Sequence, residues 1–566
     1  MVEKKSYDYT ALDIRGYVEP KPILGEVDAD TEWAQESEAA NLFLRTESYE
    51  TFTQPNFIFL FGRRGTGKTA MMRMLKYEVT NGHNSYYSYA HLLSQEDAYH
   101  QLATHLRMSP LSTLPQPELV YQLTNKWRWV IMLSAMTAVV KAHKDTKVAE
   151  QDPDIAVIKK YLTHSIPDTV KTITAESETS PLSSVLAVVT DELDAVDYSP
   201  TRVGSALIKI TRRLFSPDYE QACQALSRII KKSHKACVVM VDSIELYNLR
   251  DSVAQAVTTA LMDAAYRMYG SSQNNGVVVK VAFPSEVYPY LNSINREKTE
   301  GKNLFILWRY RDLVTLLAKR YWQLVDKQTS IEQCKALNNY HEARAYLYTH
   351  LPPTVGTETE IDFDTLAFII RHTQKKPRQV ILLLNVILTL AKTLGKDNAS
   401  ISEEIVKRGT RARLDLLVKG TLDIYSTICS EVEPLVMRAL ADTPSEFDYS
   451  RLDQQMKEIH SLRKSIDIGA EEVKHLFLET GVLGMRRARR NFHSRNKVIS
   501  IGLFEYQVKR RLYLTNKSVC VVHPMFYQDL RTDIDKDTFI YPMPVEDEEK
   551  ELLEEAGIVL GAPTAT

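Results

Sequence analysis

Residues 57–70 read Phe57-Ile58-Phe59-Leu60-Phe61-Gly62-Arg63-Arg64-Gly65-Thr66-Gly67-Lys68-Thr69-Ala70, and this stretch decides the fold. Five consecutive apolar residues suit a strand buried on both faces. The G-x-x-x-x-G-K-T spacing that follows makes a turn whose successive backbone N–H groups can close around the phosphates of a nucleotide. Gly62, Gly65 and Gly67 supply backbone conformations and close approach that a Cβ would obstruct. Lys68 is placed to reach the β- and γ-phosphates, and the Thr69 hydroxyl to ligate Mg²⁺. Ala70 to Lys76 are strong helix formers, so the phosphates would meet the positive end of a helix dipole. The expected nucleotide contacts are therefore Gly62, Arg63, Arg64, Gly65, Thr66, Gly67, Lys68, Thr69 and Ala70, with ATP and Mg²⁺ as the ligands.

Working outward, two further runs read as strands. Ala236 to Val241 ends at Asp242, and Gly276 to Phe283 is stopped by Pro284. Apolar strands separated by helices argue for a parallel sheet covered on both faces. A phosphate loop needs an acid at the end of a neighbouring strand to hold the metal's water shell. Asp242 is preferred for that role because its preceding run is β-branched. The competing Val185 to Val189, ahead of Asp191 and Glu192, follows the helix-start signal Thr179-Ser180-Pro181. Glu245 is the candidate for polarising the attacking water, because Ser243 occupies the position directly after the aspartate. Asp30 to Ser48 has helical spacing. Leu92 to Ala236 reads as mostly helical, with Trp127 to Val139 suited to a buried helix and Thr174 to Pro181 to a loop.

Beyond residue 303 the pattern turns helical. Leu307 to Val314 leads into an amphipathic helix ending near Tyr321, and Phe363 to Leu394 gives two helices separated by Lys375-Lys376-Pro377-Arg378. Helices between Thr421 and Thr480 precede the alternating segments Val498 to Tyr506, Arg511 to Leu514 and Ser518 to Val522. That order suits a winged helix. Arg486, Arg487, Arg489, Arg490, Arg495 and Lys497 place six fixed positive charges just before the expected wing strand. Such a loop can contact nucleic-acid backbone or dock an acidic protein segment. The acidic stretch Glu546 to Glu555 reads as a solvated helix or a disordered tail.

Composition is that of an ordinary globular chain. At 566 residues it exceeds what one core supports, so several domains are expected. A net charge of −2 gives no global argument for nucleic acid. The five cysteines are scattered without a C-x-x-C pair, which disfavours zinc and a disulfide framework. The opening residues have no apolar leader, and the longest apolar runs fall short of the ~20 residues a membrane span needs. A cytoplasmic protein with no membrane partner is the expectation.

These motifs, in this order, resemble the AAA+/STAND-type P-loop ATPases, nearest to initiator-like (origin-recognition-like) and bacterial relatives with a C-terminal winged helix. The resemblance rests on Gly62 to Thr69, Val238 to Glu245, Phe283-Pro284-Ser285-Glu286 and Lys376-Pro377-Arg378. It continues through Gly502-Leu503-Phe504-Glu505-Tyr506 and His523-Pro524-Met525-Phe526. It implies an α/β fold: a P-loop NTPase parallel-sheet core with helical insertions, then a helical lid and a winged-helix domain. The implied divisions are an extended arm over 1–29, the core over 30–330 with its insertion at about 85–235, the lid over 331–420, the winged helix over 421–540 and an acidic tail over 541–566. It further implies that Arg378 reports the γ-phosphate, and that Ser285 or Glu286 stands where such proteins usually carry asparagine or threonine. A trans-acting arginine from a homo-oligomer is implied too, with Arg296, Arg309, Arg311 and Arg320 eligible. The expected function is an ATP-binding, slowly hydrolysing switch acting on assembly or a protein partner. The alternatives are an ATP-dependent DNA- or RNA-binding remodeller and a scaffold with structural ATP.

Overall fold

The apolar run before the glycine turn becomes β1 (Phe59–Gly62), inside a five-stranded sheet with β2 (Tyr87–Ser94), β3 (Ala236–Asp242), β4 (Val277–Pro284) and β5 (Asn303–Phe305). The computed structural model describes residues 21–94, 115–143, 152–165, 215–242, 252–290, 300–328, 330–395, 401–427, 429–462, 469–491, 497–508, 511–544, 549–551 and 553. The strand order is β2-β3-β4-β1-β5, and every pairing is parallel. All of β1 and β4 is buried, as is β3 beyond its first residue. Strands covered on both faces read as unbroken apolar runs, which is why these three were legible in the sequence. The other two were not. β2 falls at the start of the segment expected to be a helical insertion, and its Tyr87-Ser88-Tyr89-Ala90-His91 carries an edge strand's mixed polarity.

The chain divides into two units, Gln35–Ile306 and a second made of Met1–Ala34 with Leu307–Thr566. In the first, the sheet is flanked by the Lys68–Thr80 helix that leaves the glycine turn, and by the long helices Gln116–Ala142 and Ser252–Asn275, which pack on each other. The Gln116–Ala142 helix is buried almost all round from Trp127 to Val140, as its sequence implied. One charge lies inside this sheet. Lys280 of β4 is fully buried, and its ammonium donates to the carbonyls of Phe52, Gln54 and Phe57 at 2.5, 2.9 and 2.9 Å. It thereby ties down the segment that enters β1.

In the second unit, residues 21–33 do not form the extended arm expected of 1–29. Leu24 is buried, its N–H donates to Asn385 Oδ1 at 2.7 Å, and Arg320 holds both the Leu24 carbonyl and the Glu32 carboxylate. The two helices split at Lys375 to Arg378 form as expected, over Thr365–Arg371 and Pro377–Thr393. Between earlier helices and these lies a small antiparallel pair, β6 (Thr354–Gly356) and β7 (Asp362–Asp364).

The C-terminal part has the winged-helix order. Val432–Leu440, β8 (Glu446–Asp448), Tyr449–Leu462 and Ala470–Glu479 precede the antiparallel pair β9 (Leu483–Asn491) and β10 (Val498–Leu503). With β11 (Val519–Val522) and β12 (Thr538–Pro542) they make a sheet ordered β12-β10-β9-β11-β8. Residues 511–514 carry no strand. The acidic tail is not wholly solvated either: Glu549 is buried, ion-paired with Lys375 at 2.7 Å and hydrogen-bonded by the Tyr541 hydroxyl. The unit boundary falls after Ile306, earlier than the expected core limit at 330. The fold is thus α/β, a P-loop parallel-sheet core followed by helical and winged-helix parts.

Candidate functional site

The glycine turn has the backbone its spacing required. Gly65 and Gly67 have φ of +85° and +90°, in the left-handed region where a Cβ is strained. A Cβ on Gly62 would lie 2.5 Å from the Thr66 hydroxyl, which itself donates to the Arg63 carbonyl at 2.7 Å. Gly67 is the N-cap of the Lys68–Thr80 helix and offers no side-chain acceptor. The first-turn N–H groups and the helix dipole are therefore presented to an anion at the turn. Lys68 is buried, and its Nζ donates to the carbonyls of Gly62 at 2.9 Å and Arg63 at 3.3 Å. The ammonium is held over the loop it would share with phosphate.

Asp242 closes β3 and is 1% exposed. β3 does not neighbour β1 as the sequence reading supposed, because β4 runs between them. Two inter-strand steps separate them by ~10 Å, a span that suits an aspartate acting through a metal's water shell. Register sets the height: Val241 pairs with Val281, which pairs with Phe59, so Asp242 ends level with Leu60. Among the described residues no group of three His, Cys, Asp or Glu could hold a metal. A hard cation at this site would draw its remaining oxygens from phosphate and water, with Thr69 and Asp242 as the protein's share. Glu245 lies outside the described residues, as does the competing segment from Val185 to Asp194.

The residues after β4 came closer to the turn than the sequence indicated. Gly62 pairs with Pro284, so Ser285 and Glu286 emerge at the height of the loop. Glu286 is buried, and its Oε1 accepts the Arg64 N–H at 3.4 Å. Behind it, Tyr288 packs edge-on against Phe61 and Phe305 at 4.8 and 5.2 Å between ring centres. Only the strand register discloses this proximity, because more than two hundred residues separate Glu286 from Arg64.

Arg378 lies in the second unit. Its Nε donates to the Val27 carbonyl at 3.1 Å, and it pairs with Asp28 at 3.0 Å. Of the arginines eligible to act in trans, Arg320 is taken by its pair with Glu32. Arg311 stands 3.9 Å from its neighbour Asp312, and Arg296 lies outside the described residues.

The basic cluster lies partly in β9 itself. Arg486 to Arg490 precede β10 as expected but lie in a strand rather than a loop, and a β-bulge at Arg487 returns Arg486 to the face that Arg489 occupies. Arg487 and Arg489 are exposed. Arg486 is half-buried and paired with Glu446 at 3.3 Å. Lys497 is buried, donating to the Lys536 carbonyl and facing Asp537 at 3.3 Å. Arg495 lies outside the described residues. By contrast, the two C-terminal motifs meet: the Tyr506 hydroxyl is 2.9 Å from His523 Nε2, and Phe504 packs against the same imidazole. His523 Nδ1 accepts the Met525 N–H, so the neutral ring carries its proton on Nε2 and donates to Tyr506.

Residues 28–95 match the ORC-CDC6-like family model, a segment that contains the glycine turn, its helix and β2. No curated protein matches the sequence. Among solved structures, the Aeropyrum pernix ORC2 protein in its ADPNP–ADP complexes aligns over 83% of this chain and 91% of its own at 11% identity, with a TM-score of 0.35. The Aeropyrum pernix ORC1 protein in complex with DNA aligns over 80% and 88% at 14% identity and a TM-score of 0.32. Drosophila ORC bound to DNA aligns over 87% and 91% at 10% identity and a TM-score of 0.26. Scores this low carry no argument about the site.

Proposed function

Taking the ORC-CDC6-like match of the loop-bearing segment together with the loop's geometry, we propose that the chain is an ATP-binding and ATP-hydrolysing switch. Its nucleotide state would govern assembly or a partner through the winged-helix part. The observation that carries this reading is the turn itself: two left-handed glycines, an uncapped helix N-terminus, and Lys68 folded over the Gly62 carbonyl. Thr69 and Asp242 would hold Mg²⁺, whose part is to neutralise charge on the phosphates. Lys68 orients the phosphates, and the backbone N–H groups of the turn bind them. Titration of ATP into the protein tests the reading. Lys68→Ala is expected to weaken binding at least 100-fold, and an unchanged affinity would overturn it. Light scattering with and without ATP reads the assembly step.

A second reading, nucleic-acid binding, is favoured by one observation. Arg487 and Arg489 stand exposed on β9, where phosphate contacts need only charge and reach.

A further inference from the structure

We propose that Glu286 is the catalytic carboxylate of this ATPase, accepting the proton of the attacking water. The inference rests on the ATPase reading above and assigns a residue within it. Three observations carry it. β4 lies between the loop strand and the strand of Asp242, and its pairing with β1 delivers the residues after Pro284 to the height of the turn. The Glu286 side chain then reaches the loop, with Oε1 on the Arg64 N–H. Its other oxygen, Oε2, is buried with no hydrogen-bond partner, and among the described residues no cation pairs with the carboxylate. A buried carboxylate oxygen without a donor is expensive in a structural role. Beside a loop that binds polyanions it is doubly so, because it repels the ligand unless it takes part in the chemistry. Water is the natural donor to Oε2, in a carboxylate whose other oxygen is on the phosphate loop.

The chain also lacks the simpler solution, because the residue directly after Asp242 is Ser243. Glu286 supplies a carboxylate from the adjacent strand instead. Its position is rigid: the 3-10 turn Ser285–Tyr290 is pinned by Tyr288 between Phe61 and Phe305. In the step assigned to it, the water oxygen bonds to the γ-phosphorus and the bond from that phosphorus to the bridging oxygen breaks. The electron pair leaves with ADP. Glu286 takes the water's proton and returns it to the released phosphate.

Glu286→Gln tests this, because glutamine keeps an acceptor for the Arg64 N–H while losing the base. ATP affinity should stay within threefold of wild type, while single-turnover hydrolysis falls at least 100-fold. Hydrolysis at the wild-type rate overturns the assignment and leaves the ATPase reading standing. Lost ATP binding in this variant also overturns it, making Glu286 a structural cap of the loop. So does a wild type that binds ATP without cleaving it, or a Glu245→Gln variant that alone abolishes cleavage. A wild type that fails to bind ATP, with Lys68→Ala no different, defeats the ATPase reading itself.

Discussion

The two units hold their important residues by different means. In Gln35–Ile306 the glycine turn is one contiguous stretch, and its chemistry is a backbone conformation. In the second unit the residues 371–379, around the helix start that carries Arg378, are organised by partners far away in sequence. Arg371 is fully buried, donates to the Ile540 carbonyl at 2.7 Å, pairs with Glu358 and lies 4.0 Å from the Phe539 ring centre. Gln374 donates to the Thr480 carbonyl at 2.7 Å, Gln379 to Thr421 at 3.3 Å, and Lys375 pairs with Glu549. The expected division between lid and winged helix at 420 is therefore crossed by a buried polar network. Partly broken networks of this kind cost more than the sum of their contacts. A turn can be found by pattern, whereas a network is found only in three dimensions.

The sharpest way to break the comparison is Arg371→Met. It leaves Glu358 buried without its cation, and urea melts should show the second unit about 3–5 kcal/mol less stable. Its pH dependence has a definite sign. Burial alone would raise the Glu358 carboxyl, but the Arg371 guanidinium outweighs burial and brings it down to about 2. A depressed carboxylate stabilises the fold above its unfolded value and loses that contribution as pH falls from about 4.5 toward 2. Wild-type stability should drop across that window, by about 3 kcal/mol for this group, and Glu358→Gln should flatten the drop.

Gly62→Ala attacks the other side of the comparison. Its Cβ would meet the Thr66 hydroxyl at 2.5 Å and Ile306 at 3.1 Å. ATP affinity measured by titration should fall about 100-fold, or about 2.7 kcal/mol. The double reversal Arg487→Glu with Arg489→Glu should weaken DNA or RNA binding about tenfold and lower the slope of log affinity against log salt by about 2. ATP binding should not change. Arg486→Glu, which loses its pair with Glu446, should register in melting temperature instead, and equal effects of all three on binding would contradict the distinction between the exposed arginines and the ion-paired one.

A last prediction concerns Lys280. Burial pushes its ammonium down to about 7, while the three carbonyls around it pull toward the charged form. The folded protein then releases this proton at lower pH than the unfolded chain, so stability rises with pH between about 7 and 10.5. The slope is at most about 1.4 kcal/mol per pH unit. Lys280→Met should remove it from thermal melts collected across that range.

How much was legible follows from the range of each interaction. β1, β3, β4, the helix split at Lys375 to Arg378 and the winged-helix order were readable, because strand burial and helix capping leave periodic or punctuated patterns in adjacent residues. The edge strand β2 was not, since one-sided pairing leaves a mixed pattern. The end of β3 at Asp242 was readable, but the strand order that sets β4 between it and β1 was not. The arginines ahead of β10 were legible as a cluster, but not that four of them lie within a strand of their own. A count of charges says nothing of direction until the strand and its bulge are known.

By itself the sequence determined that a strand, a turn of left-handed glycines and a helix follow one another with Lys68 at the helix start, because those conformations depend on residues next to one another. Tertiary structure alone decided that Glu286 stands at that turn, that Lys280 lies inside the sheet and that Arg371 binds Glu358. Each depends on sheet order, register or packing that brings distant segments together. Such contacts are fixed by the burial of many side chains at once, and no local stretch of sequence carries them.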